Sequence, residues 1–312
     1  MEKLIFAIII LAFLLQSGWV AALYRRVKKL RSDEEKRAAD EMQSAYCNIP
    51  AEPGESAENI LKGIENNEFK MYLQFIVDTK TKRIVSAEAL SRWESPQKGT
   101  IAPGHYIGSM EASGLISRHD FYIFELACAQ LAKWHETEYH DISISCNFTR
   151  ITLSEEDCID RLKEIAQKYN FDRTKLAIEI SEDTIEPDRE VAKCNVKLCK
   201  ELGFKIYLDD LGSGYTALAN LCEYPIDVVK IDRDILLKAN TKRGKELLSG
   251  IVALAHSLNM SVICEGVETE EQNELMAHAD CDYIQGWYYA KAMPTDGCED
   301  FVKLHAQKYA LA

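Results

Sequence analysis

No two cysteines in this 312-residue chain are spaced C-x-x-C and no H-E-x-x-H occurs, although ten cysteines are present. Both absences argue against a dedicated sulfur or histidine zinc site. Cysteines scattered this irregularly read as free core thiols of a reducing compartment. Positive charge is also scarce, with 37 Lys and Arg against 50 Asp and Glu and a net charge of −13. Five of those positive charges stand together in residues 25–31, which leaves −18 on the rest of the chain. So acidic a body lacks the basic footprint that polymeric nucleic acid requires. It suits a site that collects divalent cations, or more blandly a solvated surface. The hydrophobic fraction, 47%, is enough for one large barrel or two smaller domains.

Leu4 to Tyr24 carries no charge and has the length of a bilayer span. Trp19 and Tyr24 lie in its second half, and the basic block Arg25-Arg-Val-Lys-Lys-Leu-Arg31 follows at once. Residues 1–24 are therefore expected to form one transmembrane helix. Positive-inside asymmetry puts the body of the protein in the cytoplasm, anchored in a single pass to the inner membrane. A cleaved signal peptide ending near Val20-Ala-Ala22 is the rival reading, and the strong basic block after the apolar run counts against it. Residues 25–58, with Pro50, Pro53 and Gly54, read as a basic juxtamembrane stalk fading into a linker.

From about residue 60 short apolar runs alternate with amphipathic stretches. The runs predict strands at Met71–Val77, Ile84–Arg92, Ile142–Asn147, Leu176–Ile180, Lys205–Asp209, Val228–Ile231, Ser261–Glu265 and Tyr283–Gln285. Helical patterns cover Cys158–Tyr169, Val191–Leu202, Lys245–Leu258 and Glu270–Ala277. Such alternation implies parallel strands, and eight of them over some 250 residues imply a (β/α)8 barrel.

Asp209-Asp210 ends one strand and opens into Leu211-Gly-Ser-Gly-Tyr215. Strand alternation aims one carboxylate inward and leaves the next at the rim, a donor set for two divalent metals. Asn147, Glu179, Lys230, Glu265 and Gln285 each close another apolar run, so a barrel gathers all of them at the C-terminal ends of its strands. On the strand Ser86–Arg92, Glu88, Leu90 and Arg92 share a face, so an inward Glu88–Arg92 ion pair is one reading. Cys146 and Cys264 precede candidate ligands and are expected to point toward the helices. Trp93, Trp134 and Trp287 are expected to pack rather than to stack bases.

Glu88-Ala-Leu90, Asp209-Asp-Leu-Gly-Ser-Gly-Tyr215, Val229-Lys-Ile-Asp232, Glu265-Gly-Val-Glu-Thr269 and Ile284-Gln-Gly286 stand in the order and spacing of one family. Over about residues 60–305 the chain resembles EAL-domain cyclic-di-GMP phosphodiesterases. The resemblance implies a modified TIM barrel over residues 59–308, binding cyclic-di-GMP and two Mg2+ or Mn2+ ions, and a homodimer. By similarity Glu88, Asn147, Glu179 and Asp209 hold one metal, and Asp209, Asp210 and Glu265 the other. Lys230 orients the attacking water, Gln74, Arg92 and Gln285 meet substrate, and Glu182 and Glu268 are outer acids that steady the site. The implied reaction opens one ring phosphodiester to give linear pGpG. The implied dimer uses the face beside Leu211–Ala217 and the following helix. Phe75, Leu211 and Ala292 depart from the family pattern, each at a position that supplies no ligand. No GGDEF-type cyclase motif is present. A catalytically inactive cyclic-di-GMP receptor signalling through the anchor is the alternative, and a protein-binding scaffold a weaker one.

Overall fold

The structure, a computed structural model, describes residues 55–185, 190–211 and 221–310. The expected transmembrane helix and nearly all of the stalk lie outside these residues, as do residues 212–217 of the expected dimer face. Among the described residues no helix is long and apolar enough to cross a membrane.

The chain enters through helix α1 (Ala57–Glu65), capped by Ser56, whose hydroxyl accepts from Asn59 N at 3.2 Å. Strands β1 (Phe69–Asp78) and β2 (Ile84–Ser95) follow, and then the short β3 (Gly99–Ile101). Helices α2 (Ile107–Ser113) and α3 (Ile116–Trp134) lead to β4 (Ser143–Asn147). Next come α4 (Arg150–Leu153), α5 (Cys158–Gln167), β5 (Leu176–Ser181), α6 (Glu190–Glu201) and β6 (Lys205–Leu211). The last part runs β7 (Val228–Ile231), α7 (Arg233–Lys238), α8 (Lys242–Ser257), β8 (Ser261–Cys264), α9 (Glu270–His278), β9 (Tyr283–Gln285), β10 (Met293–Pro294) and α10 (Cys298–Ala310).

All eight expected strands are present and close into a barrel in the order β1, β2, β4, β5, β6, β7, β8, β9, with β9 returning to β1. Strands β3 and β10 add to its edges. The all-parallel expectation fails at one strand, since β1 runs antiparallel to both β2 and β9. The reason is local. Only residues 79–83 join β1 to β2, too few for a crossover helix. Asp78 shapes that turn by accepting from Lys80 N at 3.0 Å and Thr81 N at 2.6 Å, and Lys82 takes a left-handed φ of +59°.

Period-two alternation sorts the strand residues. Ile144, Cys146, Ile178, Ile180, Ile206, Leu208, Val229, Ile231, Val262 and Cys264 face the helices in one large apolar layer. Cys146 and Cys264 thus point where expected. The barrel interior holds a separate apolar plug of Ile76, Ala177, Tyr207, Val228 and Ile263. One inward position further along β5, β6 and β7 stand Glu179, Asp209 and Lys230, and Glu265 directly follows β8. The plug closes the barrel beneath these charges, so they share a poorly solvated environment.

Candidate active site

Lys230 organises the site. It is 1% exposed, and its ammonium lies 3.1 Å from Glu88 Oε2, 3.2 Å from Asp209 Oδ1 and 2.5 Å from Glu265 Oε1, and pairs with Glu179 Oε1 as well. Asn147 donates from Nδ2 to Glu88 Oε1 at 2.9 Å, and Gln285 from Nε2 to Glu88 Oε2 at 2.7 Å. Gln74 pairs in register with Glu88 and its Oε1 lies 3.4 Å from Gln285 Nε2. The expected residues Glu88, Asn147, Glu179, Asp209, Lys230, Glu265, Gln285 and Gln74 therefore meet at one end of the barrel.

Asp210 reaches the same place by a different route from the one expected. Strict alternation after Asp209 would send it toward the helices. Its φ is +57°, left-handed for a non-glycine residue, and the β6–β7 register slips between Leu208 and Leu211. A bulge of this kind re-aims a side chain. Carboxylate oxygens of Asp209, Asp210 and Glu265 then lie within 4.8 Å of one another, and so do those of Glu88, Glu179 and Glu265. Glu265 belongs to both groups.

Arg92 stays outside this cluster. Its Nη1 donates to Ser91 O at 2.7 Å and its guanidinium sits 5.9 Å from the Tyr72 ring centroid. The charge partner of Glu88 is Lys230, so the Glu88–Arg92 pair is not formed. Glu182 is buried on the turn after β5. Glu268 is exposed and bridges to Arg233 Nη2 at 2.9 Å. Arg233 itself went unrecognised in the sequence. Its side chain crosses Gly266, whose φ is +69° and where any Cβ would lie 2.5 Å from Arg233 Cγ. Its one signal is position, directly after the Asp232 that caps α7. Trp93 and Trp134 are buried as expected, whereas Trp287 is 61% exposed and stands beside Lys291, with Nζ 4.7 Å from its ring.

The departures from the family pattern fall away from the ligands. Phe75 faces outward and stacks on Phe301 of α10 at 5.4 Å, and Leu211 is buried in the outer apolar layer. Ala292 is half-buried just before β10.

Five carboxylates against one ammonium leave a negative excess that runs from the buried Glu88 and Glu179, through the half-buried Asp209 and Glu265, to Asp210 exposed at the rim. Burial pushes Glu265 up to about 7 and Asp210 up to about 6, and the neighbouring Asp209 adds to both. Burial, then the charge of Glu88, drives Glu179 well above the carboxylate range. Glu88 is also buried, yet Lys230 and the donors Gln285 and Asn147 hold it below its ordinary value. The surrounding carboxylates outweigh burial at Lys230 and keep it firmly protonated. Glu179 Oε2 is buried with no hydrogen-bond partner among the described residues. Hard oxygen donors, excess charge and an unsatisfied carboxylate oxygen fit divalent cations, and the donor set contains no sulfur or imidazole.

The EAL domain model matches residues 57–292. Signaling protein YkoW of Bacillus subtilis is 31% identical over 242 residues, 77% of this chain and 30% of that protein. Cyclic di-GMP phosphodiesterase PdeR of Escherichia coli is 30% identical over 251 residues, 80% of this chain and 38% of that protein. The chain thus spans only 30% to 38% of the length of these curated relatives. The solved PaMucR phosphodiesterase in its c-di-GMP complex, from the MucR protein of Pseudomonas aeruginosa, superposes with a TM-score of 0.73 at 28% identity, covering 77% of this chain and 98% of that one. The chain belongs to the EAL domain family.

Proposed function

We propose that this protein hydrolyses cyclic-di-GMP to linear pGpG with two divalent metal ions, Mg2+ or Mn2+, and so lowers the level of that messenger. The observation that carries the proposal is the convergence of five carboxylates, one amide and one lysine at the strand ends, in a chain whose relatives include phosphodiesterases of this substrate. Glu88, Asn147, Glu179 and Asp209 would hold one ion, and Asp209, Asp210 and Glu265 the other. Bound there, the ions supply the positive charge that eases deprotonation of water and offsets the charge of the phosphodiester and its leaving oxygen. The protein's own residues do the rest. Lys230 orients the incoming water and balances charge as the phosphate becomes more anionic. Gln285 and Gln74 present amides from β9 and β1 toward one side of substrate, and Arg92 presents a guanidinium further along β2. By the family resemblance Glu182 would steady the segment that follows Asp210. Glu268, through Arg233, braces the turn that carries Glu265.

The test is turnover of cyclic-di-GMP by the full chain in detergent, with and without Mg2+ or Mn2+. Metal-dependent pGpG supports the proposal. Binding of cyclic-di-GMP without pGpG in either metal overturns it in favour of the receptor reading. We also propose that the N-terminal apolar segment anchors the protein in the inner membrane with the barrel in the cytoplasm, and that the barrel works as a homodimer. The uncharged run and the basic block support the anchor, and the family resemblance supports the dimer. Recovery of a tagged chain in the soluble fraction, or digestion of a C-terminal tag from outside spheroplasts, excludes that topology.

A further inference from the structure

Asn147 is the one neutral residue among the proposed ligands, and it is the last residue of β4. Its side chain is exposed, unlike those of Glu88 and Glu179. The two residues after it are nevertheless held firmly. Phe148 N donates to Glu179 O at 2.9 Å, and the Phe148 ring packs edge-on against Phe121 and Phe124, at 5.7 Å from each. Thr149 is held by an acid from another element. Asp120, on α3 and 5% exposed, accepts through a single oxygen, Oδ2, from Thr149 N at 3.0 Å, Thr149 Oγ1 at 2.9 Å and Thr152 Oγ1 at 2.6 Å. Thr149 is also the N-cap of α4, so these bonds set where the strand stops and the helix begins.

Beside Asp120 a separate hydrogen-bonded pair reaches β2, and it is not bonded to Asp120, because His119 Nδ1 has no hydrogen-bond partner among the described residues. His119 Nε2 lies 2.7 Å from Ser91 Oγ, which accepts from the Tyr106 hydroxyl at 2.8 Å. His119 Nδ1 lies 3.7 Å from Asp120 Oδ1. A serine, a histidine and an aspartate in sequence suggest a nucleophile. All three are buried, and the bond from Tyr106 engages the serine, so they have no access to a substrate. Their position, between the strand carrying Glu88 and the loop carrying Asn147, points to another role.

We infer that Asp120 is a positioning residue for the metal site: it fixes the strand-to-helix turn so that the Asn147 amide meets Glu88 and a divalent ion at one place. The inference rests on the proposed ligand role of Asn147. Outer groups that orient ligands typically contribute about 10–100-fold in metal affinity. Asp120 differs from a group bonded directly to a ligand in that it acts through two residues of backbone, so its effect belongs at the lower end of that range.

The experiment is calorimetric titration of Mn2+ into the metal-stripped full chain, alongside thermal melting by circular dichroism. Asp120→Ala should weaken Mn2+ about tenfold. Thr149→Val with Thr152→Val removes both hydroxyl donors and leaves Asp120 and Asn147 in place, and it should weaken Mn2+ in the same direction. Leu162→Ala truncates the fully buried core of α5, and it should lower the melting temperature without changing Mn2+ affinity. If wild-type protein does not bind Mn2+, the metal reading itself fails. If wild type binds and either Asp120→Ala or the double valine variant, shown to be folded, binds equally well, the positioning role is overturned. An affinity loss in Leu162→Ala matching theirs also overturns it, because instability alone would then account for the effect.

Discussion

Replacing Lys230 with methionine isolates the contribution of one charge. Methionine keeps most of the lysine stem's volume, so the apolar packing around the side chain is largely preserved. What goes is the single ammonium shared by Glu88, Glu179, Asp209 and Glu265. Removing one partner of a buried ion pair typically costs about 3–5 kcal/mol, because the charge left behind has neither water nor counter-ion. Here the residual carboxylates have an escape, since Glu179 and Glu265 take up protons more readily than ordinary carboxylates. The loss should therefore be smallest at acid pH and grow as the solution becomes more basic. For a chain of this size about 3–5 kcal/mol corresponds to roughly 6–20 °C in melting temperature. The assay is thermal melting in chelator and then in excess Mn2+. The variant should melt well below wild type in chelator and recover much of the difference with Mn2+, because bound cations supply the missing positive charge. In the same preparations turnover of cyclic-di-GMP should fall about 10²–10³-fold, as when one preorganised charge-stabilising group is deleted, while nucleotide still binds. A variant as stable as wild type in chelator shows that Lys230 does not balance the carboxylates. A variant that turns over within a few-fold of wild type removes Lys230 from the chemistry.

Mn2+ affinity should rise with pH across the interval from about 6 to about 7, where Asp210 and Glu265 titrate. Both values lie above the ordinary 3.8 and 4.5, so between the two sets the folded, cation-free protein holds protons that the unfolded chain has lost, and its stability should fall as pH rises from 3.8 to about 7 and level off above that. Titration in buffers of different ionisation enthalpy reads the released protons, and a flat affinity is incompatible with the carboxylate assignment. Gly286→Ala would put a Cβ 2.1 Å from Val267 O, where the β9 loop presses on the turn after Glu265. Mn2+ affinity and melting temperature should fall together, and wild-type values for both would show that the contact yields. Phe75→Ala should cost about 3–5 kcal/mol by opening a cavity against Phe301, with Mn2+ affinity unchanged. A loss of affinity there would mean that Phe75 bears on the site through its neighbour Gln74.

Much of the barrel was legible because its signal is periodic and local. Seven of the eight barrel strands have four or more residues that alternate between the helix layer and the interior, so the inward polar residue near each end stands out against apolar neighbours. Ala177 and Glu179, Tyr207 and Asp209, Val228 and Lys230 repeat one inward pattern on successive strands. The orientation of β1 was less visible. Its apolar pattern is the same in either direction, and the evidence lies in the length of the turn, since residues 79–83 are too few to return the chain for a parallel pairing. The exposure of Trp287 was misjudged for a similar reason. A tryptophan is most often buried, and nothing in Gln285-Gly286-Trp287 shows that the chain has already left the barrel by that residue.

Asp210 and Asp120 show two different limits. Asp210 was placed at the rim by alternation, and it arrives there because alternation breaks. The left-handed φ at residue 210 and the slipped register beside Leu211 bring two adjacent carboxylates to the same group of oxygens, which a regular strand would hold on opposite faces. An Asp-Asp pair before a glycine-rich loop is compatible with that break, because aspartate tolerates the left-handed region better than bulky residues do. The pair alone does not require it. Asp120 lies beyond local reading altogether. It sits in a helix whose apolar spacing accounts for its neighbours, 29 residues from Thr149 and 32 from Thr152. Only the fold brings these groups together. Residues that contribute atoms to the site are thus marked by their position on strands, whereas residues that hold those strands in place are marked only by three-dimensional contacts. A substitution at Asp120 would look like an ordinary helix change in the sequence, and its effect on the site depends on bonds that appear only once α3 packs against the end of β4.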